Sequence, residues 1–452
     1  MLEKILFENR TYKFVEEQSV DKSSNKFTIL VGRNGTGKSR ILSAIVNDCF
    51  GLKTSDQFMT INNRLKTESK KLTFSSNPEK IIALSTSPFD RFPLMKRSEK
   101  IKEYSYLGLR DLPSSNFGLA YLSKIISSLL TAVDENVTQT HELATVLNYL
   151  GYSEEIKIRL ESKIRRTTVL KLVESENPYE TLEDMMSDNN LYFSKKFFLN
   201  NIDNNIIPSK VNHLIGLFQK ARLLDNNRII QILIKKGGVE TSAADELTIN
   251  DIVFLLESGI MSVKQVELKR LGSMIPYSIK DASSGEQSVI IGILGLASQI
   301  QDNSLVCIDE PEICLHPEWQ ERYIKIITTT FKNYKNCHFI IATHSPQIIA
   351  NLESSNCYIL SLENRQLKNA NTINNNSADF QLANIFQAPG FKNEYLSRIA
   401  LNTFVKVSRR KLFDVEDEKH LSLLTSLSNV LSNNDPVKSM ISALNKMQIE
   451  YA

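Results

Sequence analysis

The sequence predicts an α/β fold with a mainly helical insertion and a helical C-terminal tail. The first observation is a glycine-rich loop between the apolar run Phe27–Val31 and a helix-spaced apolar pattern. The second is a pair of later apolar runs, Ser304–Glu310 and His338–Ala342, each of which leads into ionisable side chains. Buried parallel strands have this character, and their carboxyl ends form ligand sites in α/β proteins. The third is helix-type spacing through most of residues 96–246, as in Leu119–Ala132, Glu142–Leu150 and Val211–Leu224, and through residues 378–452, as in Leu423, Leu424, Leu427, Val430 and Leu431. Within the first of these ranges, Ile156, Ile158 and Leu160 alternate with charged residues, which predicts one amphipathic strand, and Gly237-Gly238 predicts a turn.

Composition is that of a globular protein of several domains. The chain has 452 residues, of which 42% are hydrophobic and 23% charged. A net charge of +3 is too small to indicate nucleic-acid binding by itself. Five scattered cysteines without C-x-x-C spacing favour neither a disulfide framework nor a zinc site. No signal-peptide region and no membrane-spanning run is recognisable, so we expect a soluble cytoplasmic protein that does not enter a membrane.

The loop after Phe27–Val31 is a candidate phosphate site. Residues 32–39 fit the pattern G-x-x-x-x-G-K-[ST]. Glycines let consecutive backbone N–H groups point inward at phosphate oxygens, the lysine adds a point charge, and the serine hydroxyl suits Mg²⁺. The helix predicted next places its N-terminus at the phosphates. The predicted phosphate-binding residues are Gly32, Arg33, Asn34, Gly35, Thr36, Gly37, Lys38 and Ser39.

Two later strand ends carry candidate catalytic groups. The run Ser304–Glu310 ends in Asp309 and Glu310, and adjacent buried acids are costly unless they serve a metal or a proton transfer. Asp309 suits Mg²⁺ and Glu310 suits a water. The strand His338–Ala342 leads to His344, which would lie at the same sheet edge. Beside a phosphate loop and an acidic pair, the sequence favours a phosphate contact for this histidine.

Two further segments have weaker signals. Ser284 followed by Gln287 fits a capping box, so Ser284 is predicted as the N-cap of a buried helix that starts a second anion-binding terminus. After the predicted strand Ile81–Leu84, two prolines end the regular structure among Ser85, Ser87, Asp90 and Arg91. That segment is either part of a ligand site or a plain surface turn, and the sequence leaves both open.

The order of these motifs resembles the ATPase head of the ABC superfamily. The resemblance is greatest to the branch that holds the SMC, recombination-repair and OLD-family ATPases. It rests on the phosphate loop, on Ser-Ser-Gly-Glu-Gln, on the run from Asp309 to Gln320 and on Ala-Thr-His-Ser-Pro. The Ser87–Asp90 segment and the short helical insert resemble stand-alone ATPases of anti-phage systems, such as PtuA of Septu and retron systems and AriA of PARIS.

The resemblance implies a domain order. Residues 1–95 would form the N-terminal part of an ABC-type ATPase head, 96–246 a mainly helical insertion, 247–365 the C-terminal part of the head and 366–452 a helical tail.

The resemblance also implies ATP and Mg²⁺ as cofactors and a role for each matching residue. Lys38 would contact the β- and γ-phosphates, Ser39 and Asp309 would bind Mg²⁺, Glu310 would act as base, and His344 would sense the γ-phosphate. Ser284, Gly285 and Gln287 would meet the nucleotide of a second protomer, which implies a homodimer or higher oligomer.

Two departures from the family pattern bear on hydrolysis. The usual Leu-Ser-Gly-Gly-Gln stands here as Ser283–Gln287, with Glu286 in place of a glycine. The glutamine that normally touches Mg²⁺ and the attacking water is not identifiable between the first two motifs. Ser87 or Asp90 are the alternatives for its place. The hydrolysis rate therefore stays open.

Several functions fit these motifs. The first is an ATP-gated regulator of a separate nuclease-type effector in anti-phage defence, favoured because neither an H-N-H pattern nor a Toprim-like acidic set is found in this chain. The second is a repair ATPase that binds DNA, so nucleic acid stays open as a partner, directly or through the effector. A transporter motor and a slowly hydrolysing assembly scaffold are the remaining alternatives.

Overall fold

The computed structural model describes most of the chain. The described residues are 1–16, 24–53, 71–94, 103–110, 117–136, 138–187, 194–200, 205–220, 229–313, 315–350, 352, 356–372 and 377–451. Cys314 and the last residues of the helix predicted to reach Leu224 lie outside them. Among the described residues, four cysteines are buried and are not in disulfide bonds: Cys49, Cys307, Cys337 and Cys357.

Strands and helices alternate along most of the chain, and helices alone fill its end. The strands are β1 Leu2–Phe7, β2 Arg10–Lys13, β3 Lys26–Val31, β4 Leu72–Phe74, β5 Lys80–Ser85, β6 Tyr104–Leu107, β7 Glu155–Ser162, β8 Ile229–Lys235, β9 Gly238–Thr241, β10 Met261–Lys269, β11 Pro276–Ser278, β12 Ser304–Asp309, β13 His338–Ala342, β14 Cys357–Ser361 and β15 Gln366–Asn369. The helices are α1 Lys38–Lys53, α2 Phe117–Glu135, α3 Thr138–Tyr149, α4 Arg166–Val173, α5 Pro178–Ser187, α6 Lys195–Phe198, α7 Pro208–Lys220, α8 Ile249–Glu257, α9 Ser284–Ala297, α10 Pro317–Thr330, α11 Pro346–Ala350, α12 Ala378–Asn384, α13 Glu394–Arg410, α14 Val415–Leu427 and α15 Pro436–Tyr451.

The chain divides into two compact units. The first unit comprises Met1–Asn77, Cys307–Lys325 and Lys335–Ala452. The second unit comprises Pro78–Val306 and Ile326–Tyr334.

The first unit is built on parallel strands, as the sequence predicts. β3 pairs in parallel with β13 on one side and β14 on the other, and β15 pairs antiparallel to β14. In this register Leu30 lies beside both Ala342 and Leu360. The three parallel strands therefore end at the same edge of the sheet. All of their residues are buried, which explains why these strands are mainly apolar in sequence and do not alternate between apolar and polar residues.

Helices close the first unit at its C-terminus. α12 to α15 enclose an apolar cluster that includes Leu424, Leu427 and Leu431. Leu423 packs against that cluster, whereas Val430 is 42% exposed. The helical tail is therefore confirmed, and its predicted apolar spacing marks the packed face of α14 and the residues after it.

The second unit combines helices with an antiparallel sheet. The sheet has five strands in the order β11-β10-β7-β8-β9. The alternation predicted around Ile156, Ile158 and Leu160 is β7, and all three side chains are buried. The turn predicted at Gly237 joins β8 to β9. The predicted helices are present as α2, α3 and α7, but the sheet around β7 is more extensive than a single predicted strand.

The helices of the described residues include none that combines the length and the apolar run needed to cross a bilayer.

Candidate functional site

The phosphate loop begins where β3 ends. Gly37 has φ 101°, a backbone conformation that side-chain-bearing residues rarely adopt, and α1 begins at the next residue. A Cβ on Gly32 would come within 2.7 Å of Thr36 Oγ1, which itself donates to the Arg33 carbonyl at 2.8 Å. The backbone is therefore tightly curved at both ends of the loop, at Gly32 and at Gly37, as a backbone cradle for phosphate requires.

Lys38 lies at the centre of a charged cluster. Its side chain is buried, and Nζ donates to the Gly32 carbonyl at 2.8 Å and to the Arg33 carbonyl at 3.3 Å. Burial lowers the pKa of Lys38 to about 8, although the neighbouring carboxylates of Glu310, Glu312, Asp309 and Glu363 act in the opposite direction. An ammonium held in a partly desolvated site attracts phosphate more strongly than one in water.

Ser39 and Asp309 form the pair expected of a magnesium site. Ser39 Oγ donates to Asp309 Oδ1 at 3.0 Å, and Asp309 is the buried last residue of β12. Among the described residues, no group of three or more His, Cys, Asp or Glu side chains could hold a metal ion without other ligands. Mg²⁺ characteristically takes one or two protein oxygens and completes its shell with water and phosphate, so this donor set fits it.

Glu310 and His344 extend the cluster beyond the loop. Glu310 has φ 49°, and its backbone N–H donates to the Ala342 carbonyl, so the residue that follows β12 is held against β13. A non-glycine residue in this conformation costs energy and recurs at functional sites. Glu310 Oε1 lies 3.3 Å from His344 Nε2.

The imidazole of His344 bridges Lys38 and Glu310. Its Nδ1 lies 3.1 Å from Lys38 Nζ, which can only donate when charged, so Nδ1 accepts and the proton belongs on Nε2, facing Glu310. Burial, followed by the charge of Lys38, lowers the pKa of His344 to about 4. The ring is therefore neutral at pH 7, and the three side chains form one chain of polar contacts.

Two acidic residues that sequence reasoning missed surround this cluster. Glu312 accepts a hydrogen bond from the His344 backbone N–H, and burial raises the pKa of this carboxyl group. Glu363 accepts from the Arg33 backbone N–H at 3.1 Å, within the phosphate loop. Glu363 follows β14, so the rule that strand ends carry ligand groups, applied to that strand as well, would have found it.

The predicted helix is present as α9, but its N-cap is one residue earlier than the sequence predicts. Ser283, not Ser284, is the N-cap of α9 and accepts from the Glu286 backbone N–H at 3.3 Å. Ser284 is the exposed first residue of the helix, and Gly285 behind it is buried. The Gln287 amide does not close a capping box, because it donates to the Ala282 carbonyl at 2.8 Å.

The structure also accounts for the glutamate in this motif. Glu286 Oε1 accepts from the Tyr152 hydroxyl at 2.6 Å and from Arg270 at 2.9 Å, and the Tyr277 hydroxyl donates to Tyr152 Oη at 2.6 Å. The Glu286 side chain is 13% exposed. A glycine could not make these contacts, so the departure from the usual motif supplies an anchor at the first turn of α9.

The turn after β5 has a clear structural role. The Asp90 carboxylate accepts from the Tyr106 hydroxyl at 2.6 Å and from the Phe92 backbone N–H at 3.1 Å, and it pairs with Arg110 at 3.4 Å. The Asp90 side chain is fully buried in these contacts. Ser87 Oγ accepts from the Phe89 N–H at 3.2 Å. The structure thus shows both residues building the turn.

The protonation of Lys38 predicts how nucleotide affinity changes with pH. Bound phosphates would raise its pKa above the value of about 8 in the free protein, so binding above that pH takes up a proton. We expect ADP affinity to fall by up to about tenfold per pH unit above pH 8, as proton linkage requires. Calorimetry at pH 7, 8 and 9 measures this, and Lys38→Ala should bind weakly with a flatter profile. A constant wild-type affinity over this range would contradict it.

The chain is similar to known proteins over most of its length. Residues 1–349 match the family model AAA_15, described as AAA ATPase domain. A Retron Ec83 probable ATPase from Escherichia coli is 24% identical over 386 residues, which cover 77% of this chain and 70% of that protein. A Retron Vc95 probable ATPase from Vibrio cholerae serotype O1 biovar El Tor is also 24% identical, over 77% of this chain and 71% of that protein.

A third relative matches this chain over a smaller part of its own length. Protein ea59 of Escherichia phage lambda is 23% identical over 74% of this chain, which spans about half (48%) of that protein. The matched family region contains the phosphate loop, Asp309, Glu310 and His344. The loop, the acidic strand end and the histidine are gathered in one cluster, and the family model matches residues 1–349. The chain therefore belongs to the AAA ATPase domain family AAA_15.

Proposed function

We propose that this protein is an ABC-type, OLD-like ATPase that binds ATP and Mg²⁺ between two copies of itself and regulates a separate nuclease-type effector in anti-phage defence. The observation that carries the ATPase part is the gathering of Lys38, Ser39, Asp309, Glu310 and His344 at one sheet edge. The relatives named as retron probable ATPases support the defence role.

Each side chain of this cluster would have a separate role at the phosphates of bound ATP. Lys38 would hold phosphate oxygens, and Glu310 would accept a proton from, or orient, the attacking water. His344, neutral and protonated on Nε2, would keep Glu310 in place and could turn that donor toward phosphate. Mg²⁺ held by Ser39 and Asp309 would neutralise phosphate charge.

A second copy completes the proposed site. The exposed Ser284 and the backbone N–H groups of the first turn of α9 would form an anion-binding terminus in the second unit. We place this terminus of one protomer against the phosphate loop of the other, so that each dimer has two composite sites. ATP would then hold the two heads together, and its hydrolysis would release them and change the state of the effector.

Mixing two inactive variants tests the composite site. Lys38→Ala removes the phosphate contact and Ser284→Arg blocks closure, so each variant alone should be inactive. A mixed dimer has one site in which both elements are intact, so we expect about half of the wild-type activity per mixed dimer. The measurement is ATP hydrolysis after subunit exchange, which a labelled subunit verifies.

The matched control carries both substitutions in one chain. Mixed with wild type, this double variant should form dimers in which both sites are damaged, so activity should come from wild-type dimers alone. If subunits exchange and the two single variants regain no activity, the composite site is wrong.

A further inference from the structure

The hairpin between β10 and β11 ends in an exposed apolar tip, which we define as Leu271, Met274 and Ile275. These side chains are 57%, 85% and 77% exposed. Isolated exposed apolar residues are common, but several on one short loop indicate a contact surface.

The backbone around this apolar tip is ordered by its own hydrogen bonds. The Ser273 backbone N–H donates to the Arg270 carbonyl at 3.0 Å, and Ser273 Oγ accepts from the Ile275 N–H at 3.2 Å. At its base, the Leu271 N–H donates to the Gly151 carbonyl at 2.9 Å. The apolar side chains are thus held outward by a formed loop, which lowers the entropy cost of binding through them.

The apolar tip is tied to the first turn of α9. Arg270 and Tyr277 flank the tip region. Arg270 donates to Glu286 at 2.9 Å, and the Tyr277 hydroxyl donates at 2.6 Å to Tyr152, whose own hydroxyl donates to Glu286. The Arg270 guanidinium also lies over the Tyr277 ring, 5.0 Å from its centroid. The hairpin is thus joined to the start of α9 by a charged hydrogen bond, by a relay of two phenol hydroxyls and by a stacked cation. We therefore expect the hairpin and the helix start to move together.

We propose that the apolar tip docks on a second copy of this chain when two heads close on ATP. The inference rests on the proposed function, because there the start of α9 meets the phosphate loop of the other protomer. Since Glu286 holds the apolar tip to that helix start, closure carries the tip to the surface of the same partner. Burial of its three side chains then supplies apolar contact beside the phosphate site, where most of the interaction is polar.

A dye attached at the tip reports this docking directly. In the Glu310→Gln protein, which is chosen to retain ATP, we introduce Met274→Cys and attach an environment-sensitive fluorophore to the new thiol. Unsubstituted protein treated with the same reagent corrects for native cysteines. ATP with Mg²⁺ should shift the emission to the blue, and the shift should be absent in Ser284→Arg. The dye reports burial even in a protein that is dimeric without nucleotide.

Charge at the apolar tip should weaken closure. We expect Met274→Asp/Ile275→Asp, in the Glu310→Gln protein, to raise the protein concentration needed for ATP-dependent pairing at least about tenfold, as loss of buried interface anchors does. The matched control is Val415→Asp/Ile449→Asp, whose parent side chains are 69% and 83% exposed on α14 and α15. The control should pair normally. Sedimentation measures pairing, and calorimetry checks that all variants bind ATP.

The outcomes separate the two proposals. If ATP pairs the heads and Ser284→Arg prevents it, but the tip variant pairs as tightly as the control and the dye does not shift, the apolar tip does not dock and the composite site stands. If ATP causes neither pairing nor a shift, and Ser284→Arg changes nothing, both proposals are overturned. A dye shift that persists in Ser284→Arg would mean that the apolar tip meets something other than the closed second copy.

Discussion

Lys38→Ala should remove nucleotide binding almost completely while the protein stays folded. Truncating one partner of a desolvated, hydrogen-bonded charge pair costs roughly 2–5 kcal/mol, which corresponds to about 30- to 4,000-fold in affinity. The lysine is buried inside the phosphate loop and contacts the Gly32 carbonyl and His344, so its ammonium is held at the centre of the site. Calorimetry with ADP or a non-hydrolysable ATP analogue measures the loss.

The control for this substitution is Lys419→Ala, an exposed lysine on α14. It changes the net charge equally and should leave affinity unchanged. We expect Lys38→Ala to unfold in one cooperative thermal transition. The substitution removes the desolvation cost of the ammonium, but it also removes the positive charge that attracts the nearby carboxylates, so the two effects on the free energy of unfolding oppose each other. Wild-type affinity in a folded Lys38→Ala protein would refute the phosphate-loop assignment.

Glu310→Gln should bind ATP and lose hydrolysis. The amide has the shape of the carboxylate and can still accept from the protonated Nε2 of His344, but it cannot take a proton from water. General-base catalysis typically contributes about 10²- to 10⁴-fold, so we expect a decrease of that order in the single-turnover rate. Rapid-quench measurement with enzyme in excess separates this rate from product release.

Glu312→Gln is the matched control, two residues further along the chain. Glu312 accepts from the His344 backbone N–H, and burial raises the pKa of its carboxyl group, so a neutral amide there keeps the contact. Its rate should stay far closer to wild type than that of Glu310→Gln. An unchanged rate in Glu310→Gln would show that another group positions the water.

Local sequence was sufficient for the phosphate loop and for the strands that lead to the site. Gly32 to Ser39 encode a backbone shape within eight residues, and the buried runs of β3, β12 and β13 have no polar face that could be mistaken for a surface strand. Because parallel strands place their carboxyl ends together, the sequence could also predict that Asp309 and His344 would lie near Lys38.

Local sequence did not determine which of two adjacent serines caps α9 or which strands pair in the second unit. Ser283 and Ser284 are chemically identical, and Ser283 is the cap because its backbone is extended, at φ −61° and ψ 154°. In the second unit, β8 and β9 complete an antiparallel sheet with β7, a pairing that depends on residues about 70 positions apart, such as Ile158 and Ile232. Sequence reasoning therefore found one strand where the structure has a sheet.

By itself, the sequence determined the chemistry of the site, because the phosphate loop and each strand end are encoded by neighbouring residues. Only the tertiary structure decided which groups touch: His344 lies between Lys38 and Glu310, Glu363 accepts from the Arg33 N–H, and Glu286 accepts from Tyr152 and Arg270. These contacts join residues from 16 to 330 positions apart. Their geometry follows from sheet register and hairpin packing, which no local pattern specifies.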